Sequence, residues 1–164
     1  MLWRYHAIGW EQLHADSRTL AQRLIGKGPF RGVVAITRGG LIPAAIVARE
    51  LEIRLVESVS VLTYGQGDAE WTEIGKPEVI KPPAAAGDGE GFLIIDDLVD
   101  TGTTAKVVRD LLPRAIFACL YAKPAGKPIV DIFITEVTQD TWIMFPWDTE
   151  PQFAVPLAKR PKPE

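Results

Sequence analysis

Cysteine is nearly absent from this sequence. The single residue, Cys119, excludes an intrachain disulfide framework and any cysteine-rich metal site. It lies in the apolar run Ala115-Ile116-Phe117-Ala118-Cys119-Leu120-Tyr121-Ala122 and reads as a buried core thiol. Histidine is almost as scarce: His6 and His14 are too few for a histidine-rich zinc site. Only three serines occur, none in a Gly-x-Ser-x-Gly turn, so a serine-hydrolase reading falls away. Excess basic charge is missing too. Lys plus Arg is 18 against 21 Asp plus Glu, net −3, which excludes nucleic-acid binding by bulk charge. There is no N-terminal apolar run of signal-peptide length and no run of about 18 apolar residues. The expectation is a cytoplasmic protein without a transmembrane segment.

What is present suits one globular domain spanning 1–164. The hydrophobic fraction is 47% and the charged fraction 24%, enough for a real core. Trp10, Leu13, Ser17, Leu20, Ala21, Leu24 and Ile25 recur at helical spacing, which predicts an amphipathic helix over 10–25, stopped by Gly26 and Gly28-Pro29. Val33 to Thr37 reads as a buried strand, Arg38-Gly39-Gly40 as a turn, and Pro43 as part of the first turn of a helix running to about Leu51. Further strands are expected over 55–64, 92–95, 115–122 and 129–137, with a helix over 103–112 closed by Pro113. Residues 65–90 are rich in Gly and Pro and read as a long functional loop. From Pro146 the chain reads as extended. Strands that are continuous apolar runs, alternating with helices, predict an α/β fold with a mainly parallel central sheet covered on both faces.

The most informative stretch is Phe92-Leu93-Ile94-Ile95-Asp96-Asp97-Leu98-Val99-Asp100-Thr101-Gly102-Thr103-Thr104. Four apolar residues carry two adjacent acids to the carboxyl end of a strand, the edge where open α/β sheets bind ligands. A Thr- and Gly-rich loop then opens a helix, whose first amides and hydroxyls make a phosphate cradle. Gly102 permits the tight turn. Acids beside a phosphate repel it unless a cation or sugar hydroxyls intervene, so the local chemistry suggests a magnesium-bound phosphorylated sugar.

This stretch resembles the phosphoribosyl-pyrophosphate (PRPP) motif of the type I phosphoribosyltransferases. Val34 to Leu41, Glu90-Gly91-Phe92, Tyr121 to Gly126, Gln139 to Ile143 and Pro146-Trp147-Asp148 resemble, in order, the bacterial xanthine-guanine branch of that family, over most of residues 8–157. The resemblance implies a type I phosphoribosyltransferase fold with a small hood at about 124–157, a lid loop at about 65–90 and a tail at 158–164. It implies purine salvage: magnesium-dependent transfer of 5-phosphoribosyl from PRPP to N9 of guanine or xanthine, with hypoxanthine less favoured.

Carried over residue by residue, the resemblance makes Asp100 the catalytic residue, near N7 of the purine. Asp96 and Asp97 meet ribose hydroxyls and Mg2+, with Asp97 the metal ligand. Leu98, Val99, Thr101, Gly102, Thr103 and Thr104 complete the PRPP loop. Arg38-Gly39 forms the pyrophosphate turn, at which the family carries a cis peptide. Lys123 donates to the 6-oxo group, Trp142 covers the base, Ile143 contacts its 2-position edge, and Asp148 stands near that edge. Homodimers or homotetramers are implied as well.

Two departures stand out. Residues 65–75 carry no Lys or Arg where the family lid has a basic residue, which leaves Lys76 as the nearest candidate. Met144 occupies a position that in the family's best-known pattern is acidic.

Each residue alone has a plainer reading. Asp100 could serve as an N-cap, the acid pair as a solvated strand end, Lys123 as a surface lysine and Trp142 as a core or interface aromatic. Their joint occurrence at family spacing outweighs these. A hypoxanthine-preferring sister enzyme and a non-catalytic PRPP-sensing regulator are the alternatives; an RNA-binding regulator would want a basic face, for which the net charge of −3 offers little support. The basic ending Lys159-Arg160-Pro161-Lys162 reads as a frayed tail, with weak attachment to the cytoplasmic face of the inner membrane as the alternative.

Overall fold

The computed structural model describes residues 3–63 and 76–148, together with Ala158. The elements run β1 (Arg4–Ala7), α1 (Trp10–Leu24), β2 (Gly32–Ile36), α2 (Leu41–Glu50), β3 (Val56–Leu62), β4 (Glu78–Lys81), β5 (Phe92–Val99), α3 (Thr103–Leu111), β6 (Ile116–Ala122), β7 (Ile132–Glu136) and β8 (Thr141–Met144). Six strands form one sheet in the order β4-β3-β2-β5-β6-β7. All its pairings are parallel except β3 with β4.

Strand alternation sorts the core into two layers. Val33, Ala35, Leu93, Ile95, Ala118 and Leu120 face Leu13, Leu20 and Leu24 of α1 and Ala44, Val47 and Ala48 of α2. Val34, Ile94, Phe117 and Cys119 pack with Ala105 and Val108 of α3. Both faces are therefore covered, which is why stretches such as Val33 to Ile36, Phe92 to Ile95 and Ile116 to Ala122 are continuous apolar runs. Cys119 is buried, as expected of a core thiol.

Three expectations need correction. The third strand does not stop at Ile95. Asp96 to Val99 continue it, because Asp96, Leu98 and Val99 stay in register with Cys119, Tyr121 and Ala122 of β6. Part of 65–90 is not loop: Glu78–Lys81 is an antiparallel edge strand on β3, too short and polar to stand out from its Pro-rich surroundings. The stretch from Pro146 opens with a single 3-10 turn rather than extended chain. Residues 65–75 of the expected lid, the last residue of the strand expected over 55–64, and 159–164 of the tail lie outside the described residues.

A small second sheet was not foreseen. β1 pairs in parallel with β8, placing Tyr5 beside Trp142 and His6 beside Ile143.

Candidate active site

From the β2–β5 pair the chain continues outward in opposite directions, to β3 on one side and β6 on the other. A crevice opens beyond the carboxyl ends of such a pair. It holds a cavity of about 1190 Å³ lined by Arg38, Gly39, Asp96 to Ala105, Trp147 and Asp148, among others.

On the β2 side the chain turns tightly into α2. Gly40 N–H donates to Ile36 O at 2.8 Å and Leu41 N–H to Arg38 O at 3.1 Å. The Thr37–Arg38 peptide is cis, where the family resemblance places one. Gly39 lies so close to β5 that a Cβ there would run into the Asp97 carboxylate.

On the β5 side, the Asp97 N–H donates to Asp96 Oδ1 at 2.9 Å and the Leu98 N–H to Asp97 Oδ1 at 2.7 Å. Burial pushes both carboxyls above the usual range, and the neighbouring Asp97 charge pushes Asp96 further. Two buried acids with raised affinity for protons equally favour a hard cation. Among the described residues no group of three or more His, Cys, Asp or Glu could hold a metal unaided. An acid pair at a cavity wall instead suits magnesium, which binds through one or two carboxylates and keeps its other positions for water and substrate oxygens. The donor set therefore fits.

The loop after β5 turns on Gly102, at φ 86°, into α3. Thr101 Oγ1 and Thr103 Oγ1 lie 3.0 Å apart over the first turn of α3. Asp100 does not cap that helix, which has no side-chain cap. Its carboxylate turns instead to Lys123 and Gln139. Lys123 Nζ donates to Asp100 Oδ2 at 2.8 Å, and Gln139 Nε2 donates to Asp100 Oδ1 at 2.7 Å. The Lys123 side chain is only 2% exposed. A buried ammonium whose ion pair is an active-site acid is not a surface lysine.

Residues 9–154 match the family model described as phosphoribosyl transferase domain. Over 156 residues the chain is 62% identical to the xanthine-guanine phosphoribosyltransferase of Gluconobacter oxydans, covering 94% of this chain and 91% of that protein. The chain belongs to the xanthine-guanine phosphoribosyltransferase family. A second such phosphoribosyltransferase, from Desulfotalea psychrophila, is 56% identical over 158 residues, 96% of this chain and 94% of that one. Among solved structures, the purine phosphoribosyltransferase of Pyrococcus horikoshii superposes with a TM-score of 0.73 at 27% identity, covering 93% of this chain and 99% of that one.

In this phosphoribosyltransferase the expected residues separate into two groups. Arg38, Gly39, Asp96, Asp97, Leu98, Val99, Asp100, Thr101, Gly102, Thr103, Thr104 and Asp148 all line the cavity. Lys123, Trp142 and Ile143 are not part of its wall; Lys123 reaches it through Asp100. Asp148 Oδ2 accepts from Phe145 N–H at 3.0 Å. Lys76 is exposed just before β4, outside the lining residues.

Three residues of the site were missed. The Trp3 ring lies 5.8 Å from Lys123 Nζ and meets the Trp142 ring edge-on at 5.9 Å. No sequence signal connects it to them, because the β1–β8 pairing is long-range. Trp147 lines the cavity and stacks on Phe145 at 4.9 Å. Gln139 was within reach, since it stands in the same family-like string as Trp142.

Proposed function

We propose that this chain transfers the 5-phosphoribosyl group of PRPP to N9 of guanine or xanthine, with hypoxanthine the poorer base. The products are the nucleoside 5′-monophosphate and pyrophosphate. One observation carries the reading: buried Lys123, paired with the half-exposed Asp100, sits at the same sheet edge as the acid pair and the first turn of α3. A group that recognises a 6-oxopurine thus adjoins a group of elements suited to a phosphorylated ribose.

The N–H groups and hydroxyls of Thr101 to Thr104 hold the 5′-phosphate at the positive end of α3. Arg38 and the backbone of Gly39 face the pyrophosphate. Asp96 and Asp97 orient the ribose hydroxyls, and Asp97 would hold the metal. Magnesium, when bound, neutralises charge on the departing pyrophosphate. Asp100 takes its place near purine N7 and exchanges the proton there. Lys123 donates to the 6-oxo group; an ammonium donates but cannot accept, so 6-amino purines are disfavoured. Trp142 covers the base and Ile143 meets its 2-position edge, with Asp148 close by. Lys76 is the remaining candidate for the basic lid residue.

Pyrophosphate release from PRPP and magnesium is the test, run in parallel with guanine, xanthine, hypoxanthine, adenine and orotate. Release with guanine and xanthine above hypoxanthine, and none with adenine or orotate, is expected. No release with any base would favour a PRPP-sensing regulator, and preference for hypoxanthine would favour the sister enzyme.

A second prediction concerns Gly39. A methyl group there collides with the Asp97 carboxylate, so Gly39→Ala displaces it. Turnover is expected to fall about tenfold, as for a small misplacement of a positioning group. The magnesium concentration for half-maximal rate should rise with it. An unchanged magnesium dependence would remove Asp97 from the metal site.

Assembly as a homodimer or homotetramer belongs to the same reading. Leu55 and Val56 leave exposed apolar surface at the start of β3, outside the cavity, which a self-complementary contact could use. Among the described residues no helix is long and apolar enough to cross a membrane. Cytoplasmic residence, with peripheral contact at the inner membrane through the basic tail, completes the proposal.

A further inference from the structure

We infer that Gln139 is a positioning residue for catalysis: it holds the Asp100 carboxylate in place while Lys123 also donates to the purine. The inference rests on the function proposed above. Both Asp100 oxygens are engaged, Oδ2 by Lys123 and Oδ1 by Gln139. An ammonium has three N–H donors, so Lys123 can turn one to a purine 6-oxo group while another stays with Asp100. Lys123 then divides its donors between base and acid. Gln139 Nε2 holds the carboxylate from its other oxygen.

The direction of that bond is fixed. Gln139 Oε1 accepts the Ala125 N–H at 3.1 Å. A backbone N–H can only donate, so the amide oxygen must face Ala125 and the NH2 group must face Asp100. The anchor itself is rigid. Lys123 N–H donates to Val99 O at 2.9 Å, and the Gly126 N–H and Lys127 N–H both donate to Lys123 O, at 3.0 and 2.8 Å. A Cβ on Gly126 would strike the Val99 side chain and the Asp100 carbonyl, so the two loops are packed against each other. Gln139 thus ties the side chain of Asp100 to the backbone segment that carries Lys123. It touches neither substrate nor metal in this scheme and acts through Asp100.

Two substitutions separate this role from simple scaffolding. Gln139→Ala removes both bonds. Gln139→Glu keeps an oxygen for the Ala125 N–H but turns a carboxylate towards Asp100. With wild type releasing pyrophosphate from guanine, Gln139→Ala is expected to lower kcat about tenfold, the scale of one hydrogen bond to a charged group. KM for PRPP should stay within about twofold, because the phosphate cradle is untouched. Gln139→Glu is expected to lose more, about a hundredfold, with thermal unfolding near wild type. In an Asp100→Asn background, Gln139→Ala should cost nothing further.

Wild-type-like turnover in Gln139→Glu would overturn the inference, showing that only the Ala125 bond matters. So would an undiminished loss in the Asp100→Asn background, or a rise in KM for PRPP with kcat unchanged. An inactive wild type would instead defeat the proposed function itself.

Discussion

Replacing Asp100 with alanine is expected to lower kcat about a thousandfold, within the range for removing a proton-transferring group, while KM for PRPP changes about twofold or less. The asymmetry follows from the geometry. The proposed phosphate side of the loop consists of backbone amides and threonine hydroxyls, which alanine at 100 leaves alone. The proposed purine side depends on the carboxylate. The same change strips Lys123 of its ion-pair partner, and Lys123 is buried, so some stability is lost as well. Asp100 itself is 48% exposed, which screens the pair and keeps that loss modest. Asp100→Asn separates the effects: it leaves an oxygen for Lys123 but cannot exchange the proton. Steady-state kinetics alongside thermal unfolding decide it. A turnover that survives Asp100→Asn would end the proton-exchange role.

Lys123→Met is expected to lower kcat/KM for guanine about a hundredfold or more, chiefly through KM for the base. Methionine fills the buried space and supplies no donor. A site built to bond a 6-oxo group loses much when its donor is removed, because the oxygen is then desolvated without a partner. Adenine, with no 6-oxo group, has nothing to lose at this position. The ratio of guanine to adenine activity should therefore collapse, with PRPP affinity retained. Parallel kinetics on the two bases check this. An unchanged ratio would place the base-recognition group elsewhere.

The half of the site proposed to hold phosphate was legible because it is local. Asp96 to Thr104 form one continuous string whose spacing alone brings acids, turn and helix start together. The paired faces of the sheet were legible for a similar reason: apolar runs such as Phe92 to Ile95 leave no polar side to expose. The strand continuing through Asp96 and Asp97 was not, because two acids break the apolar pattern and only pairing with β6 holds them in register. The purine half was read in part through resemblance, as Lys123 and Trp142. Trp3 stayed hidden, since nothing near residue 3 announces a partner at 142. Gln139 is an ordinary amide until the Ala125 N–H orients it.

The pairing of β1 with β8 has a consequence for chain entropy. Arg4 aligns with Thr141, so almost the whole described chain lies between the two strands. Closing a loop of that length costs about 4 kcal/mol by the logarithmic law, against about 2 kcal/mol for a span as short as the PRPP loop. The two halves of one site therefore draw unequally on the order of the rest of the molecule. The acid-and-threonine side is largely a property of a short segment. The Trp3–Trp142 contact, proposed to lie beside the base, exists only while the entire sheet and its helices hold the two ends together.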